Sequence, residues 1–164
     1  MRVVVADATP LHYLILIDEI TVLQLLFERV CVPAQVREEL ICSAARPVVR
    51  GWMEQPPAWL EVTSASVVES EDASLAGLDA GERAAIALAE SLRADLLLID
   101  ERAGAILAQR RGLAVTGTLG ILDLASRAGL LRLQDVFERL QGTNFRYPPS
   151  LVEKLLHEER NRGQ

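Results

Sequence analysis

Two short apolar runs that each end in aspartate predict the fold of this chain: VVVAD at residues 3–7 and ADLLLID at residues 94–100. Continuous runs of Val, Leu and Ile are typical of strands that are buried on both faces of a parallel sheet. We therefore predict two such strands over residues 2–6 and 94–99, with Asp7 and Asp100 directly after them.

Weaker strand patterns and helical patterns alternate around these two runs. The further strands are predicted over 29–32, 60–63 and 113–116, each bounded by Pro, Gly or a charged helix. Helical spacing is found over 10–16, 21–28, 33–42, 47–54, 80–92, 101–111, 119–127, 135–140 and 150–160. Such alternation implies right-handed crossovers, and so an α/β fold in which a parallel sheet of about five strands lies between helices.

The length and composition predict one compact domain. At about 150 residues per domain, the 164 residues leave no room for a second core. We take 1–164 as a single domain, with 134–164 as a C-terminal helical extension. Half of the residues are apolar and 24% are charged, which excludes a disordered or fibrous chain.

The sequence shows no pattern typical of a membrane span, a signal peptide or a disulfide framework. The longest uncharged apolar stretch, residues 10–17, is far shorter than the roughly 20 residues of a membrane span. The first residues lack the long apolar region of a signal peptide, so we expect a cytoplasmic protein without membrane contact. Cys31 and Cys42 are too few for a disulfide framework or a zinc site, and we expect both to be small buried residues.

Net charge restricts the ligands that the chain can bind. A formal charge of −6 repels nucleic acid, so a phosphate ligand requires a local basic patch or a metal ion.

Acidic side chains are predicted to gather at one edge of the sheet. If the strands before Asp7 and Asp100 are neighbours, the two carboxylates face one another, which is costly unless a divalent cation joins them. Helical spacing places Glu39 at the edge of an inward helix face and Glu82 in the first turn of the long helix that follows. The sequence therefore predicts a metal site formed by four acids.

Each acid also has an ordinary structural use. Asp100 could be only the N-cap of the next helix, Glu82 could complete a capping box with Asp79, and Glu39 could belong to a solvent-exposed ion pair. Near the last strand, Thr118 is interpreted as the N-cap of the helix over 119–127.

Five blocks of the sequence together resemble a known family, the PIN-domain proteins, in their order and spacing. They are VVVADATPL (3–11), VPAQVREEL (32–40), LDAGERAAIALA (78–89), ADLLLIDER (94–102) and VTGTLG (115–120). The resemblance extends over nearly the whole chain, to about residue 150, and is strongest to a compact prokaryotic branch of the family.

This resemblance implies a three-layer Rossmann-like fold and a metal-dependent ribonuclease. It assigns metal binding and catalysis to Asp7, Glu39, Glu82 and Asp100, with Mg²⁺ or Mn²⁺ as the cofactor. The family usually has two hydroxyl residues after its first aspartate, whereas here Ala8 replaces one of them. Only Thr9 remains to hydrogen-bond the metal-binding carboxylates.

The resemblance also implies partners. Many prokaryotic PIN proteins are toxins of type II toxin–antitoxin pairs, so we expect RNA, an antitoxin protein and a second copy of this chain as partners. Thr116 is a candidate to hydrogen-bond a ligand carboxylate or phosphate, and Arg102 is a candidate RNA contact.

Two alternatives to a nuclease are considered. Ala8 and the acidic net charge are also compatible with a catalytically weakened domain that serves as an interaction or regulatory module. A Rossmann-type nucleotide binder is disfavoured, because Ala8-Thr9-Pro10 stands where a glycine-rich phosphate loop would follow the first strand.

Overall fold

A single parallel sheet forms the centre of the molecule. The computed structural model describes residues 2–64 and 75–163. The sheet has the strand order β3-β2-β1-β4-β5, and every neighbouring pair is parallel. The strands are β1 (Val4–Ala6), β2 (Val30–Pro33), β3 (Leu60–Thr63), β4 (Leu96–Leu98) and β5 (Val115–Thr116). The predicted α/β fold with five parallel strands is confirmed.

Helices cover both faces of this sheet, and every predicted helix is present in the described part of the chain. They are α1 (Ala8–Leu16), α2 (Val22–Phe27), α3 (Ala34–Ile41), α4 (Pro47–Glu54), α5 (Ala80–Leu92), α6 (Arg102–Arg110), α7 (Thr118–Arg127), α8 (Leu133–Gln141) and α9 (Pro149–Arg162). None of the helices in residues 2–64 and 75–163 is both long and apolar enough to cross a membrane.

Two hydrophobic clusters hold the three layers together. Successive residues of a strand face opposite sides of a sheet. Val4 and Leu96 therefore belong to the cluster shared with α1, α7 and α8, while Val5 and Leu97 belong to the cluster shared with α5 and α6. Burial on both faces explains why these strands consist of unbroken apolar runs.

The strand order reverses between β1 and β4. From β1 the chain builds outward through β2 and β3 on one side, and it then returns to form β4 and β5 on the other. In such sheets the crevice beyond the carboxyl ends of the two central strands is the usual ligand site.

Two details of the sequence prediction are wrong. Pro33 was expected to begin a helix, but it ends β2 and stands at the N-cap of α3 in extended conformation. A proline without an N–H can close a strand and precede a helix equally well. The expectation that both cysteines are buried is also wrong: Cys31 is half-buried, and Cys42 is exposed, because the chain leaves α3 at this residue and turns towards α4.

One carboxylate of α9 links that helix to the end of α7 and to the start of α8. Glu159 of α9 accepts a hydrogen bond from the Leu133 backbone N–H at 2.8 Å and another from the Ser126 hydroxyl. Leu133 is itself buried, so its N–H needs a partner within the protein.

We expect Glu159→Ala to lower the free energy of unfolding by about 1–3 kcal/mol, because it leaves the N–H of Leu133 buried without an acceptor. Urea denaturation followed by circular dichroism measures this loss. Glu153→Ala, at an exposed position of the same helix, is the control and should change stability by less than about 0.5 kcal/mol. Equal effects of the two substitutions would refute the structural role of Glu159.

Candidate active site

The pairing of β1 with β4 brings the two strand-end aspartates to one edge of the sheet. Val4 pairs with Leu96 and Ala6 pairs with Leu98. The Asp7 backbone N–H continues this ladder by donating to the Leu98 carbonyl at 2.8 Å. Asp7 and Asp100 thus follow neighbouring strands, as the sequence predicted.

Asp7 is a buried carboxylate that lacks a hydrogen-bond partner on one oxygen. Only 3% of the residue is exposed, and its Oδ1 has no partner among the described residues. Burial raises the pKa of the Asp7 carboxyl to about 7, although the neighbouring N–H of Ala8 acts to lower it. The charges of Asp79, Glu39 and Asp100 raise this pKa further. At neutral pH the site therefore favours either a proton or a cation at Asp7.

Asp100 is held in place by the start of α7. Thr118 donates to it twice, from its backbone N–H to Oδ1 at 2.8 Å and from its hydroxyl to Oδ2 at 2.6 Å. Burial raises the pKa of Asp100, and these two bonds act against that rise. Gly117 is required beside it, because a Cβ there would overlap the Asp100 carboxylate.

The structure excludes one alternative capping role at this edge and corrects one capping assignment. Glu101, not Asp100, caps α6, since the Glu101 side chain accepts from the Gly104 N–H at 2.7 Å. Gly117 is the N-cap of α7, and Thr118 is the first residue of the helix. Asp100 is therefore not the cap of α6, and the Thr118 hydroxyl binds a carboxylate rather than the backbone of its own helix.

Glu39 reaches the same edge from α3. Val36 and Leu40 bury the inward side of this helix, and Glu39 lies beside them at the surface. Its Oε2 rests against Gly81 of α5, where an added Cβ would lie only 2.7 Å away. Burial, followed by the charge of Asp79, raises the pKa of Glu39.

Glu82 has both the structural role and the position that the sequence suggested. It completes a capping box with Asp79: the Glu82 N–H donates to Asp79 Oδ1 at 2.8 Å, and the Asp79 N–H donates to Glu82 Oε2 at 3.3 Å. Burial raises the pKa of Glu82 to about 7, with further increases from the charges of Asp79, Asp7 and Glu101.

Asp79 is the acid that sequence reasoning assigned only to capping. Its charge raises the pKa values of Asp7, Glu39 and Glu82, so it belongs to the same electrostatic cluster. Its place three residues before Glu82 could have indicated that Asp79 belongs to the site, since a residue at an N-cap faces the same sheet edge as the first turn of its helix.

The remaining predicted residues have varied surroundings. Thr9 lines a cavity together with Glu39. Thr116 places its hydroxyl against Gly120 of α7, and the donor to Asp100 is Thr118 instead. Arg102 is exposed in the first turn of α6, close in sequence to Asp100.

A family model described as a PIN domain matches residues 3–160. The chain belongs to the PIN domain family. Membership of this family generally means nuclease activity and the use of divalent metal ions. No curated protein and no solved structure shows a significant match to the chain.

The carboxylates of this PIN domain suit a hard divalent cation. The unpartnered, buried Oδ1 of Asp7 is the type of ligand that Mg²⁺ and Mn²⁺ prefer. Across residues 2–64 and 75–163, however, no three His, Cys, Asp or Glu side chains form a ready-made ion cage. Hydrogen bonds hold Asp100 and Glu82 to Thr118 and Asp79. Mg²⁺ needs only one or two direct carboxylates, because it retains several of its waters.

We expect Asp7→Asn to be more stable than the wild type at pH 7.5 without metal, and to lose this advantage near pH 4. Folded Asp7 keeps its proton up to about pH 7, whereas an unfolded aspartate releases it near 3.8. Between these values the folded state binds more protons, so wild-type stability falls as the pH rises, by up to roughly 4 kcal/mol.

Urea denaturation in EDTA from pH 4 to 7.5 measures this difference. Asp18→Asn is the control, because Asp18 is exposed and its φ of 61° suits asparagine. The same dependence of the unfolding free energy on pH in Asp7→Asn and the wild type would show that burial does not raise the pKa of Asp7.

We also expect Thr118→Val to weaken Mn²⁺ binding by about tenfold, because it removes a hydrogen bond that orients the Asp100 carboxylate. Isothermal titration calorimetry gives the affinity. Thr116→Val is the matched control, since that hydroxyl lies against Gly120. A larger loss from Thr116→Val than from Thr118→Val would contradict the assignment.

Proposed function

We propose that this PIN domain is a metal-dependent endoribonuclease that hydrolyses RNA phosphodiester bonds. Asp7, Glu39, Glu82 and Asp100 would hold Mg²⁺ or Mn²⁺. The observation that supports this most directly is the buried carboxylate of Asp7, which has an unpartnered oxygen and three acidic neighbours that raise its pKa. Such an arrangement is costly without a cation, and this makes it a candidate functional site.

Hydrogen bonds hold the backbone of one proposed ligand and the side chain of another. The backbone of Asp7 is held by its bond to the Leu98 carbonyl, and the side chain of Asp100 is held by both donors of Thr118. The Asp100 carboxylate is therefore oriented before an ion binds.

The other two acids approach from helices. The carboxylates of Glu39 and Glu82 lie at the ends of longer side chains. The Asp79 N–H binds only Oε2 of Glu82, which leaves Oε1 for a metal ion. When bound, a divalent ion acidifies a water molecule and neutralises charge on the scissile phosphate. The overall charge of −6 makes this neutralisation necessary for binding RNA.

We further propose that the protein is the toxin of a type II toxin–antitoxin pair, that it acts as a homodimer, and that a small antitoxin inhibits it. This part of the proposal is supported by the match to the PIN domain family and by the resemblance to its compact prokaryotic branch.

A catalytically weakened interaction module is the second candidate, and Ala8 favours it. Ala8 is buried in the first turn of α1, where the family usually has a hydroxyl residue. Calorimetry that detects no uptake of Mg²⁺ or Mn²⁺ at millimolar concentration would favour this candidate over the nuclease.

We expect the purified protein to cleave single-stranded or structured RNA with Mn²⁺, and Asp7→Asn to lose about 100-fold or more of the rate, because it removes a charged metal ligand. Gel analysis of labelled RNA measures the cleavage. The asparagine variant is expected to be the more stable protein at neutral pH, so its inactivity cannot be attributed to unfolding. Equal cleavage by both proteins would indicate a contaminant and refute the proposal.

The same two proteins test the toxin role. Induced expression of the wild type in a bacterial host should arrest growth, and expression of Asp7→Asn should not. A short neighbouring reading frame whose product restores growth would identify the antitoxin. Unimpaired growth with the wild type, in cells where its RNA cleavage is detected, would reject the toxin role but keep the nuclease.

A further inference from the structure

A cavity of about 260 Å³ adjoins the acidic edge of the sheet. It shares Thr9 and Glu39 with the candidate active site and is therefore continuous with it. Its lining includes Thr9, His12 and Tyr13 from α1, Glu39 from α3, and Cys42 and Ala45 from the turn after α3. Sites for whole small molecules occupy about 300–1,000 Å³, so this cavity suits a single ring system better than a folded peptide segment.

Two rings form one side of the cavity, and the C-terminal part of the chain holds one of them in position. The hydroxyl of Tyr13 donates to Asn144 Oδ1 at 2.8 Å, and the ring of Phe145 packs edge-on against Tyr13 at 4.8 Å. The ring of His12 meets Tyr13 at nearly a right angle, also at 4.8 Å. Both His12 and Tyr13 remain partly exposed, so each has ring surface available to a ligand.

A cation, Arg46, lies close to both rings. Burial raises the pKa of Tyr13, the charge of Asp100 raises it further, and the charge of Arg46 lowers it. Burial lowers the pKa of His12, and Arg46 lowers it further. Arg46 directly follows the cavity residue Ala45, stands exposed at the N-cap of α4, and has no carboxylate partner within the described ranges. Carboxylate, rings and guanidinium therefore lie around one cavity or directly beside it.

We propose that this cavity binds one unpaired base of single-stranded RNA, beside the phosphate that is cleaved, and that Arg46 binds a neighbouring phosphate of the same strand. The proposal rests on the proposed ribonuclease function and specifies its substrate. Exposed rings are the surfaces on which unpaired bases stack, and a guanidinium forms forked hydrogen bonds with phosphate. A base within a duplex stays stacked between its neighbours and cannot enter the cavity.

Binding of a labelled, unstructured 12-nucleotide RNA tests the proposal by fluorescence anisotropy. The protein is the full chain carrying Asp7→Asn, with Mg²⁺ present, so that the proposed cleavage does not interfere. Arg46→Ala should weaken binding about tenfold and reduce the salt dependence of log Kd by about 0.7, as expected for the loss of one phosphate contact to a single strand. Arg46→Lys should restore most of the affinity, because it keeps the charge.

Arg50→Ala is the matched control for Arg46. Arg50 lies one turn further along α4 and faces Glu54, with 3.9 Å between their charged groups. Its removal should change the affinity less than twofold. If Arg50→Ala weakens binding as much as Arg46→Ala does, the contact is nonspecific attraction and the proposal is overturned.

Removal of the bases from the RNA tests the cavity itself. His12→Ala should weaken binding of the normal RNA about tenfold, as the loss of a base-stacking contact does. The same substitution should have no effect on an abasic RNA of equal length, whereas Arg46→Ala should still weaken it. An equal effect of His12→Ala on both RNAs would overturn the assignment of a base to the cavity, and so would a duplex RNA that binds as tightly as the single strand.

Cleavage by the wild-type protein is measured separately. If cleavage depends on Asp7 while His12 and Arg46 are without effect on binding, the cavity proposal fails alone and the ribonuclease remains. If no RNA is cleaved but the binding effects are found, the ribonuclease fails, and the cavity is then a binding site for a base without a cleaved phosphate beside it.

Discussion

The parallel pairing of β1 with β4 forces two carboxylates to share one edge of the sheet. Asp7 comes directly after β1 and Asp100 two residues after β4, so the pairing of the strands holds both residues at this edge. Repulsion between like charges in a partly buried place is expensive, and burial of Asp7 adds to the cost. The side chains and helix ends around this edge stabilise the two carboxylates and hold them in position.

Helix N-termini provide part of that tolerance. Because the helices return antiparallel to the strands, α1, α6 and α7 begin near the carboxyl ends of β1, β4 and β5. The partial positive charge and free N–H groups of a helix N-terminus favour nearby carboxylates. Thr118 shows this directly, since its N–H binds Asp100, and Glu82 uses the N-terminus of α5 in the same way through its capping box. The remaining negative charge can be neutralised by a bound cation. The proposed nuclease chemistry needs the same cation.

Much of the architecture was predictable because its signals are local. Strands buried on both faces require unbroken apolar runs, and helices require apolar spacing near 3.6 residues. The predicted elements accordingly agree with the observed ones apart from their ends, as at Pro33, where a proline fits both the strand and the cap. The rule that parallel strands end at a common edge was sufficient to identify Asp7 and Asp100. Their distinction from simple caps was not predictable, since Glu101 can cap α6 as well as Asp100 can.

The sequence by itself determined the parallel sheet, its helical layers and the four acids that the family pattern assigns to one edge. Only the tertiary structure decided that Thr118 rather than Thr116 binds Asp100, that Asp79 joins the acidic cluster, and that His12 lines a cavity beside it. The reason is that periodicity fixes which residues form an element and which side they face. Contacts between elements that are distant in the chain depend on how the helices pack, and a shift of one or two residues at a helix start changes which hydroxyl meets a carboxylate.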